Sequence, residues 1–413
     1  MAWYPSKGIS LWSETTGATK RQYPRLEQDF SIDVAIIGGG IAGLTLAYLL
    51  KKAGKNVAVF EKHTIGEGVT GFTTAKVTSQ HGLVYSELFK NFDETTARLY
   101  GEANQQAIET IETIIKNERI ECDWRREDNY VYTQKADEVN KLKQEAALAK
   151  KLGLPASFTK KTPLPFAVEG AVRFKKQGVF HVLRYLQGLA AAVDGGGSYV
   201  FEQTKAFHFK DGAPATFLVR GGKVTATDIV FATNIPAAVK DHIYYGLLAY
   251  PTRSYIIAGK VEQSTAAAGM YINTGKPTHS ILPTEVDGQP WMLVGGYGHF
   301  VGMNTSQGRR YKKLEAVAGS VGLEKITYRW STWDFTAYDG LPLIGKLYNN
   351  SKHLYTAAAF RKWGMTNATV AALVLTDTIT GRKNPWADML RPDRPSAMKA
   401  MPKGLIKGIG FKK

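Results

Sequence analysis

Ile32-Asp33-Val34-Ala35-Ile36-Ile37-Gly38-Gly39-Gly40-Ile41-Ala42-Gly43 decides the fold class of this chain. A run rich in Ile and Val, the composition of a buried strand, stops abruptly at three glycines. Apolar residues then recur with helical spacing through Leu44, Ala47, Tyr48 and Leu49 to Leu50. Strand, tight turn and helix come in that order. Gly38, Gly40 and Gly43 fill the glycine places of G-x-G-x-x-G. The first allows the turn, the second lets a pyrophosphate approach the backbone, and the third lets helix pack on strand. The phosphates would sit at the helix N-terminus beside Ile41 and Ala42, where unpaired N–H groups and the dipole favour anions.

Residues 54–62 add weight to the motif. Gly54 stands where a helix stop is expected, and Asn56-Val57-Ala58-Val59-Phe60 reads as a second strand. Glu61 ends that strand with Lys62 behind it, close to the spacing of roughly 20 residues expected of a ribose-binding acid. An ordinary strand–helix turn explains the glycines but not this acid. The sequence points to a bound dinucleotide.

At 413 residues the chain exceeds the size at which single cores stop growing, so two domains are expected. Hydrophobic content of 44% and charged content of 22% are those of a globular protein. No stretch is apolar enough for a membrane span, and Met1 to Pro5 open no signal peptide, so a cytoplasmic location is expected. The single cysteine, Cys122, excludes an intrachain disulfide and any cysteine-held cluster, and no metal site is expected. Net charge is +17, but the positive residues are spread along the chain without zinc-finger spacing or an aromatic RNA-binding motif, so no nucleic-acid partner is expected. The basic stretch 391–413 stands apart. Met398, Met401, Leu405, Ile406, Ile409 and Phe411 make it a candidate for peripheral membrane contact. Pro402 and three glycines break any long helix, so a solvated basic tail is the preferred reading.

Residues 1–31 read as an irregular lead-in with Trp3, Tyr4, Trp12 and Tyr23 packed on the body. Gly66 to Thr78 is a loop dense in Gly and Thr, suited to satisfying phosphate and ring polar atoms. Helical spacing covers 93–117, 136–152 and 182–193, with strands at 129–133, in pairs over 199–219, and at 229–234. Further strands are expected at 250–261, 291–295, 326–333 and 353–358. Gly295-Gly296-Tyr297-Gly298-His299-Phe300 reads as a glycine-rich turn; no helical pattern succeeds it, so it is no second nucleotide loop. A loop at 359–364 leads into a last helix from about 365 to 380, stopped by Gly381.

Four segments together resemble the D-amino-acid-oxidase-like superfamily of FAD enzymes. They are Gly38 to Gly43 with Glu61, the Thr-rich loop at 70–78, Asp228 to Asn234, and a C-terminal pair. That pair is Asp339-Gly340-Leu341-Pro342-Leu343-Ile344-Gly345 with Ala359-Phe360-Arg361-Lys362-Trp363-Gly364-Met365-Thr366-Asn367. The motifs G-x-T-T-A-K-V-T and K-W-G-M-T-N look most like a bacterial branch often fused to a Rieske domain. The resemblance implies an α/β fold: a discontinuous Rossmann-like FAD-binding domain (28–90, 170–240, 335–390) and an inserted α+β substrate domain on a mostly antiparallel sheet (91–169, 241–334). It implies that Gly38, Gly40 and Gly43 hold the pyrophosphate and Glu61 the ribose. Thr73, Thr74 and Lys76 would line the flavin side, with Ala232 and Thr233 nearby. Lys362, Trp363, Gly364, Met365 and Thr366 would approach the pyrimidine edge, near Gly340 and Leu341. A helix N-terminus there would stabilise the charge of a reduced flavin.

The chain departs from its relatives in carrying Phe72 where they often have His. No Cys lies near the flavin loops, so dissociable, non-covalent FAD is expected. One cysteine makes no Rieske centre, which takes two Cys and two His.

The expected chemistry is oxidation of a C–N bond of an amine or amino acid, with a hydride equivalent passed to flavin N5. Substrate-face candidates are Arg253 and Tyr255, His299, and Arg361 or Lys362; an arginine could pair a carboxylate bidentately. The acceptor is oxygen or an electron carrier. An alternative is a flavin dehydrogenase passing electrons to a quinone or a separate iron–sulfur protein. A third is a non-catalytic flavin-binding or membrane-associated partner protein.

Overall fold

A computed structural model describes residues 8–17, 21–236, 239–262, 268–303 and 306–401, with the backbone alone for 239–243. Two compact units are each assembled from three stretches. One comprises Met1–Ala18, Gly71–Tyr185 and Thr252–Trp333; the other comprises Thr19–Thr70, Leu186–Pro251 and Asp334–Lys413.

The unit holding the glycine motif is built on a sheet with Phe30–Ile37 at its centre. Val57–Phe60 and Gly222–Asn234 flank it in parallel. Tyr199–Phe201 continues one side and Leu354–Ala358 the other, again parallel, and Leu343–Lys346 closes that edge antiparallel. Phe207–Lys210 and Ala215–Val219 form an antiparallel extension on the start of Gly222–Asn234. The central strands read as continuous apolar runs because helices cover a parallel sheet on its faces. Val57 to Phe60 and Leu354 to Ala358 are buried at every position. Helices Ile41–Lys52 and Gly364–Ile379 pack together, and both are buried along most of their length. Parallel pairing has a consequence for function. Ile37 lies level with Phe60 and Phe231, and Asn234 with Ala358, so the turns at the ends of these strands gather at one sheet edge.

The other unit holds a nine-stranded, mostly antiparallel sheet. Its order is Tyr328–Ala337, Ala249–Lys260, Gln289–Phe300, His279–Val286, Met270–Asn273, Arg125–Thr133, Gly170–Val179 and Lys76–Val77, with Ala156–Thr159 paired to Gly170–Val179. One face carries Tyr130, Tyr132, Tyr255, Tyr271, Ile281 and Val294 in a core with Leu314 and Ala318 of helix Gln307–Ser320. Helices Glu94–Asn117, capped by Asp93, and Val139–Lys151 also belong to this unit.

Several expectations are corrected. Residues 71–90 and 170–185 fall in the antiparallel unit, because Lys76 and Val77 pair with Val179 and Gly178. Gly295 to Phe300 is strand rather than turn: Gly296 pairs with Tyr255 and His279, and Arg253 with His299, which leaves a bulge at Tyr297 (φ 50°). Of the proposed paired strands over 199–219, the first joins the parallel sheet instead. The basic stretch is partly structured: Pro395–Ala400 is a helix, and Arg394 is buried. Trp3, Tyr4 and residues 402–413 lie outside the described residues. Among the described residues no helix is long and apolar enough to cross a membrane, and no cluster of three or more His, Cys, Asp or Glu is placed to hold a metal.

Candidate cofactor and active site

The shared edge of the parallel sheet collects the glycine turn, Glu61, Ala232 to Asn234 and the 359–366 loop. The glycine turn is fixed by close backbone approach. Gly38 has φ +113°, and a Cβ there would meet the Ala232 carbonyl oxygen at 2.6 Å. A Cβ on Gly43 would stand 2.0 Å from the Gly38 carbonyl oxygen, so helix and turn touch at this point. At Gly40 an added Cβ would meet only the Thr70 hydroxyl, at 3.0 Å, leaving this side of the turn open. The Ile41 N–H donates to that same hydroxyl at 3.2 Å. Beyond that hydroxyl, the N-cap of helix Ile41–Lys52 is Gly40 and offers no side-chain acceptor, although Ile41, Ala42 and Leu44 are buried. Buried helix ends ordinarily have an acceptor, and a phosphate would supply one.

Glu61 faces the turn. Its Oε2 accepts the Gly39 N–H at 2.8 Å and its Oε1 the His63 N–H at 2.9 Å. Each carboxylate oxygen keeps a further lone pair for a hydroxyl donor. Lys62 is exposed beside it. At the end of the neighbouring strand, Thr233 Oγ1 donates to the Ile235 carbonyl at 2.5 Å. Asn234 has φ +67°, and its buried amide nitrogen has no hydrogen-bond partner. Asn234 closes a segment that carries the resemblance but is not among the cofactor residues named from the sequence; a short polar residue closing an apolar strand is the available signal. An orphaned donor at this edge, a helix start with glycine at its N-cap and an acid with spare lone pairs suit a dinucleotide.

The loop before helix Gly364–Ile379 is held in an unusual conformation. Ala359, Arg361 and Lys362 have φ of 60°, 56° and 68°, in the left-handed region that costs each side chain roughly 1–3 kcal/mol. Asp334, which is not among the site residues named from the sequence, is the main restraint. Its Oδ2 accepts the Lys362 N–H at 2.5 Å and its Oδ1 the Phe335 N–H at 2.8 Å. The Arg361 N–H donates to the Phe335 carbonyl and Asn367 Nδ2 to the Phe360 carbonyl. Burial pushes the Asp334 carboxyl up to about 6, with the two N–H donors and the Lys362 charge opposing. The Lys362 side chain is reachable by solvent, yet loss of hydration among surrounding atoms holds its ammonium below the usual lysine range, against the pull of Asp334. Helix Gly364–Ile379 also starts without a side-chain cap from Trp363, while Met365 and Thr366 are buried.

Gly340 and Leu341 are fixed from an unexpected quarter. Arg394, expected in a solvated tail, is 4% exposed and pairs bidentately with Asp339 at 2.6 and 2.7 Å. Its remaining N–H groups go to the carbonyls of Leu341, Pro342, Leu390 and Arg391. Gly340 in turn accepts from Arg361 Nη1 at 3.4 Å. No solvated tail begins before this ion pair.

In the antiparallel unit, two buried indoles hold the Thr-rich loop. Trp12 donates to the Thr73 carbonyl at 2.7 Å and Trp330 to the Phe72 carbonyl at 3.0 Å. Thr73 Oγ1 accepts the Ala75 N–H. Lys76 is buried on the short strand, its ammonium donating to the Tyr271 carbonyl at 2.7 Å. Burial alone pulls it down to about 7. The sequence expectation sets Thr74 at the flavin and Tyr255 at the substrate beside it, and the sheet separates them. A Cβ on Gly295 would touch Thr74 and Ile256, so these share a face. Tyr255, the next residue along, points to the opposite face, fully buried against Tyr311. His299 joins it there. Tyr255 donates to His299 Nε2 at 2.9 Å, and Nδ1 donates to the Phe300 carbonyl at 2.8 Å, so both ring nitrogens are occupied. Arg253 pairs with His299 across the strands.

Comparison with known proteins gives this geometry its family. Residues 33–378 match the model of the DAO family, FAD-dependent oxidoreductases. A Bacillus subtilis protein, YhfW, named for a Rieske 2Fe-2S iron–sulfur protein, is 34% identical over 387 residues, 93% of this chain and 75% of that one. The gamma-glutamylputrescine oxidoreductase of Escherichia coli is 26% identical over about half of each chain (51%). Among solved structures, glycine oxidase from Geobacillus kaustophilus superposes with a TM-score of 0.72 at 20% identity, covering 86% of this chain and 96% of that one. L-proline dehydrogenase from P. horikoshii superposes with a TM-score of 0.73 at 18% identity, covering 88% and 97%. The chain belongs to the DAO family of FAD-dependent oxidoreductases.

Proposed function

We propose that this FAD enzyme oxidises the C–N bond of a small amine or amino acid. The observation that carries the reading is the convergence, at one edge of the parallel sheet, of two buried helix starts whose N-cap residues give no side-chain cap with Glu61 and the orphaned Asn234 amide. The named activities of the relatives, which act on amino acids or on an amine, supply the substrate class. When bound, FAD supplies the electron sink, accepting a hydride equivalent at N5.

In this proposal the N–H groups of the Gly38–Gly43 turn, with Ile41 and Ala42, bind the pyrophosphate, and Glu61 accepts from the ribose. Asn234 donates to the cofactor beside Ala232 and Thr233. The helix start at Lys362, Trp363, Gly364, Met365 and Thr366 directs its dipole and N–H groups at the flavin edge where negative charge builds. Gly340 and Leu341 are held beside it through Arg394. Thr73, Thr74 and Lys76 keep the cofactor role that their motif suggests, with Lys76 able to hold or release a proton near neutral pH. Arg361, Lys362 and Arg253 remain the substrate-face candidates; Tyr255 and His299 leave that group. The cofactor is non-covalent, since no Cys and no His occurs in these loops.

An absorption spectrum before and after acid precipitation tests the reading. Flavin bands with all colour released as FAD are expected, and then reduction of the flavin by an amine or amino acid. Colour retained on the pellet would mean a covalent flavin. Failure of every amine and amino acid to bleach the bands would remove the substrate class. The iron–sulfur name of the Bacillus relative favours a second reading for the acceptor, an electron-carrier protein instead of oxygen. Rapid oxygen consumption with peroxide release would reject it.

A further inference from the structure

We propose that the tip of strand Gln289–Phe300 is a membrane-contact site whose partner is an anionic lipid surface. Phe300, Val301 and Met303 are 54%, 43% and 54% exposed within one four-residue turn. The Met303 N–H donates to the Phe300 carbonyl at 3.3 Å and Gly302 has φ +97°, so the turn is closed and presents its apolar side chains outward. Single exposed apolar residues need no explanation, but a contiguous group on a convex turn does.

The helix and the strand that flank the tip bring cations to it. Arg309, Lys312 and Lys313 are exposed on helix Gln307–Ser320. Arg310 ties the first turn of that helix to the strand by donating to the Tyr297 carbonyl at 2.6 Å and to that of Gly298. The Lys313 ammonium lies 5.9 Å above the Tyr297 ring. No Asp or Glu occurs between Asp287 and Glu315, and the adjacent strand Ala249–Lys260 holds none either while adding Arg253. Apolar residues that enter the acyl boundary, ringed by cations at headgroup level, are the arrangement of an interfacial anchor. A nucleic-acid backbone would meet the cations but leave the apolar tip without a partner. The tip lies elsewhere in the chain than residues 391–413, the stretch to which composition first points.

The test is sedimentation of the full chain with phosphatidylcholine vesicles, with and without phosphatidylglycerol. Binding is expected only with the anionic lipid, and should weaken as salt screens the cations. Two variants locate it: Phe300→Ser/Val301→Ser/Met303→Ser and Lys312→Glu/Lys313→Glu. Each should lower the bound fraction roughly tenfold while bound flavin and dye reduction stay at parent levels. If the triple variant fails to fold, Phe300→Ser alone carries the apolar arm. Parent-level sedimentation by both variants would overturn the proposal and move the contact elsewhere. No sedimentation of the parent on anionic vesicles would overturn it too, and would leave an acidic protein as the partner for this surface.

Discussion

Two glycine-rich stretches of similar composition have opposite fates in this chain. Gly38-Gly39-Gly40 ends a strand and starts a helix; Gly295-Gly296-Tyr297-Gly298 stays within a strand and bends it. They are separated by the residues next in the chain and by the backbone that each glycine meets. After Gly40 an apolar helical pattern can begin at once. After Gly298 it cannot, and neighbouring strands on both sides claim the backbone hydrogen bonds instead. Glycine therefore marks close approach in both places, and only the context says what approaches.

The largest effects should come from removing that close approach. Gly43→Ala sets a Cβ 2.0 Å from a backbone carbonyl that the turn cannot move, for which a cost above about 4 kcal/mol is reasonable. Loss of bound flavin and of folding in the parallel-sheet unit is expected. Gly296→Ala meets the Thr278 carbonyl at 2.4 Å with φ +141°, and should lower the melting temperature sharply while the protein that remains folded keeps its flavin. Gly40→Ala sharpens the contrast. Within the protein it meets only a movable hydroxyl, so stability should change little while FAD affinity falls at least roughly tenfold. Equal flavin affinity in Gly40→Ala and the parent, by fluorescence titration, would end the assignment of this turn to the pyrophosphate.

A second tier concerns Asp334. Asp334→Ala strands two buried N–H donors, at roughly 1–3 kcal/mol each, and frees a loop that only its restraints keep left-handed. A fall in kcat/KM of at least about tenfold is expected. Asp334→Asn keeps one acceptor and should fall less. The pH dependence has a definite sign. An acid raised from 3.8 to about 6 binds a proton more tightly in the folded chain. This group's contribution to stability is therefore greatest below pH 4 and is lost as pH rises to 6. Activity that depends on the carboxylate runs the other way, rising through pH 6, and that step should be missing in Asp334→Asn.

How much of this was legible differs between the units for a physical reason. A parallel sheet buried on both faces writes itself as apolar runs bounded by glycines, so the strands at 30–37, 57–60 and 354–358, and the acid at Glu61, could be read directly. The antiparallel strands Gly170–Val179, Met270–Asn273 and His279–Val286 could not. In Gly170–Val179 the alternation is broken by a register shift opposite Glu127 and Asn129 and by buried Gln177, which accepts from Thr78 and Ser79, and in His279–Val286 Ile281 to Thr284 are all buried. Asp334 was illegible because its role is to bond the Lys362 N–H, 28 residues away, which leaves no local pattern. Arg394 was misread because a buried bidentate pair and a solvated basic stretch have the same composition.

Lys76 tests whether the antiparallel unit carries a polarised site of its own. Its buried ammonium is pulled from 10.5 down to about 7 by desolvation, so the charged form is disfavoured in the folded chain. The unfolded chain binds the extra proton between those values, which makes stability rise with pH from about 7 to 10.5. Lys76→Met should be more stable than the parent at pH 6 and lose that advantage by pH 10, by thermal unfolding of the apoprotein. A constant difference across that range would mean that Lys76 is not desolvated.

The smallest effect is expected at the residues removed from the substrate face, and it bears most directly on the comparison. Tyr255→Phe deletes one hydroxyl that donates to His299 on the helix-packed side of the sheet. It leaves the ring and its packing on Tyr311 intact. The His299 Nε2 then loses its donor but lies close enough to solvent to recruit water, since His299 is only partly buried. Stability should fall by about 1 kcal/mol or less, with kcat and KM within about twofold of the parent. A tenfold loss in kcat would place Tyr255 back at the reacting centre. It would also mean that the sheet face bearing Thr74 and Ile256 is not the one that meets substrate, and the distinction between the two faces drawn from Gly295 would fail with it.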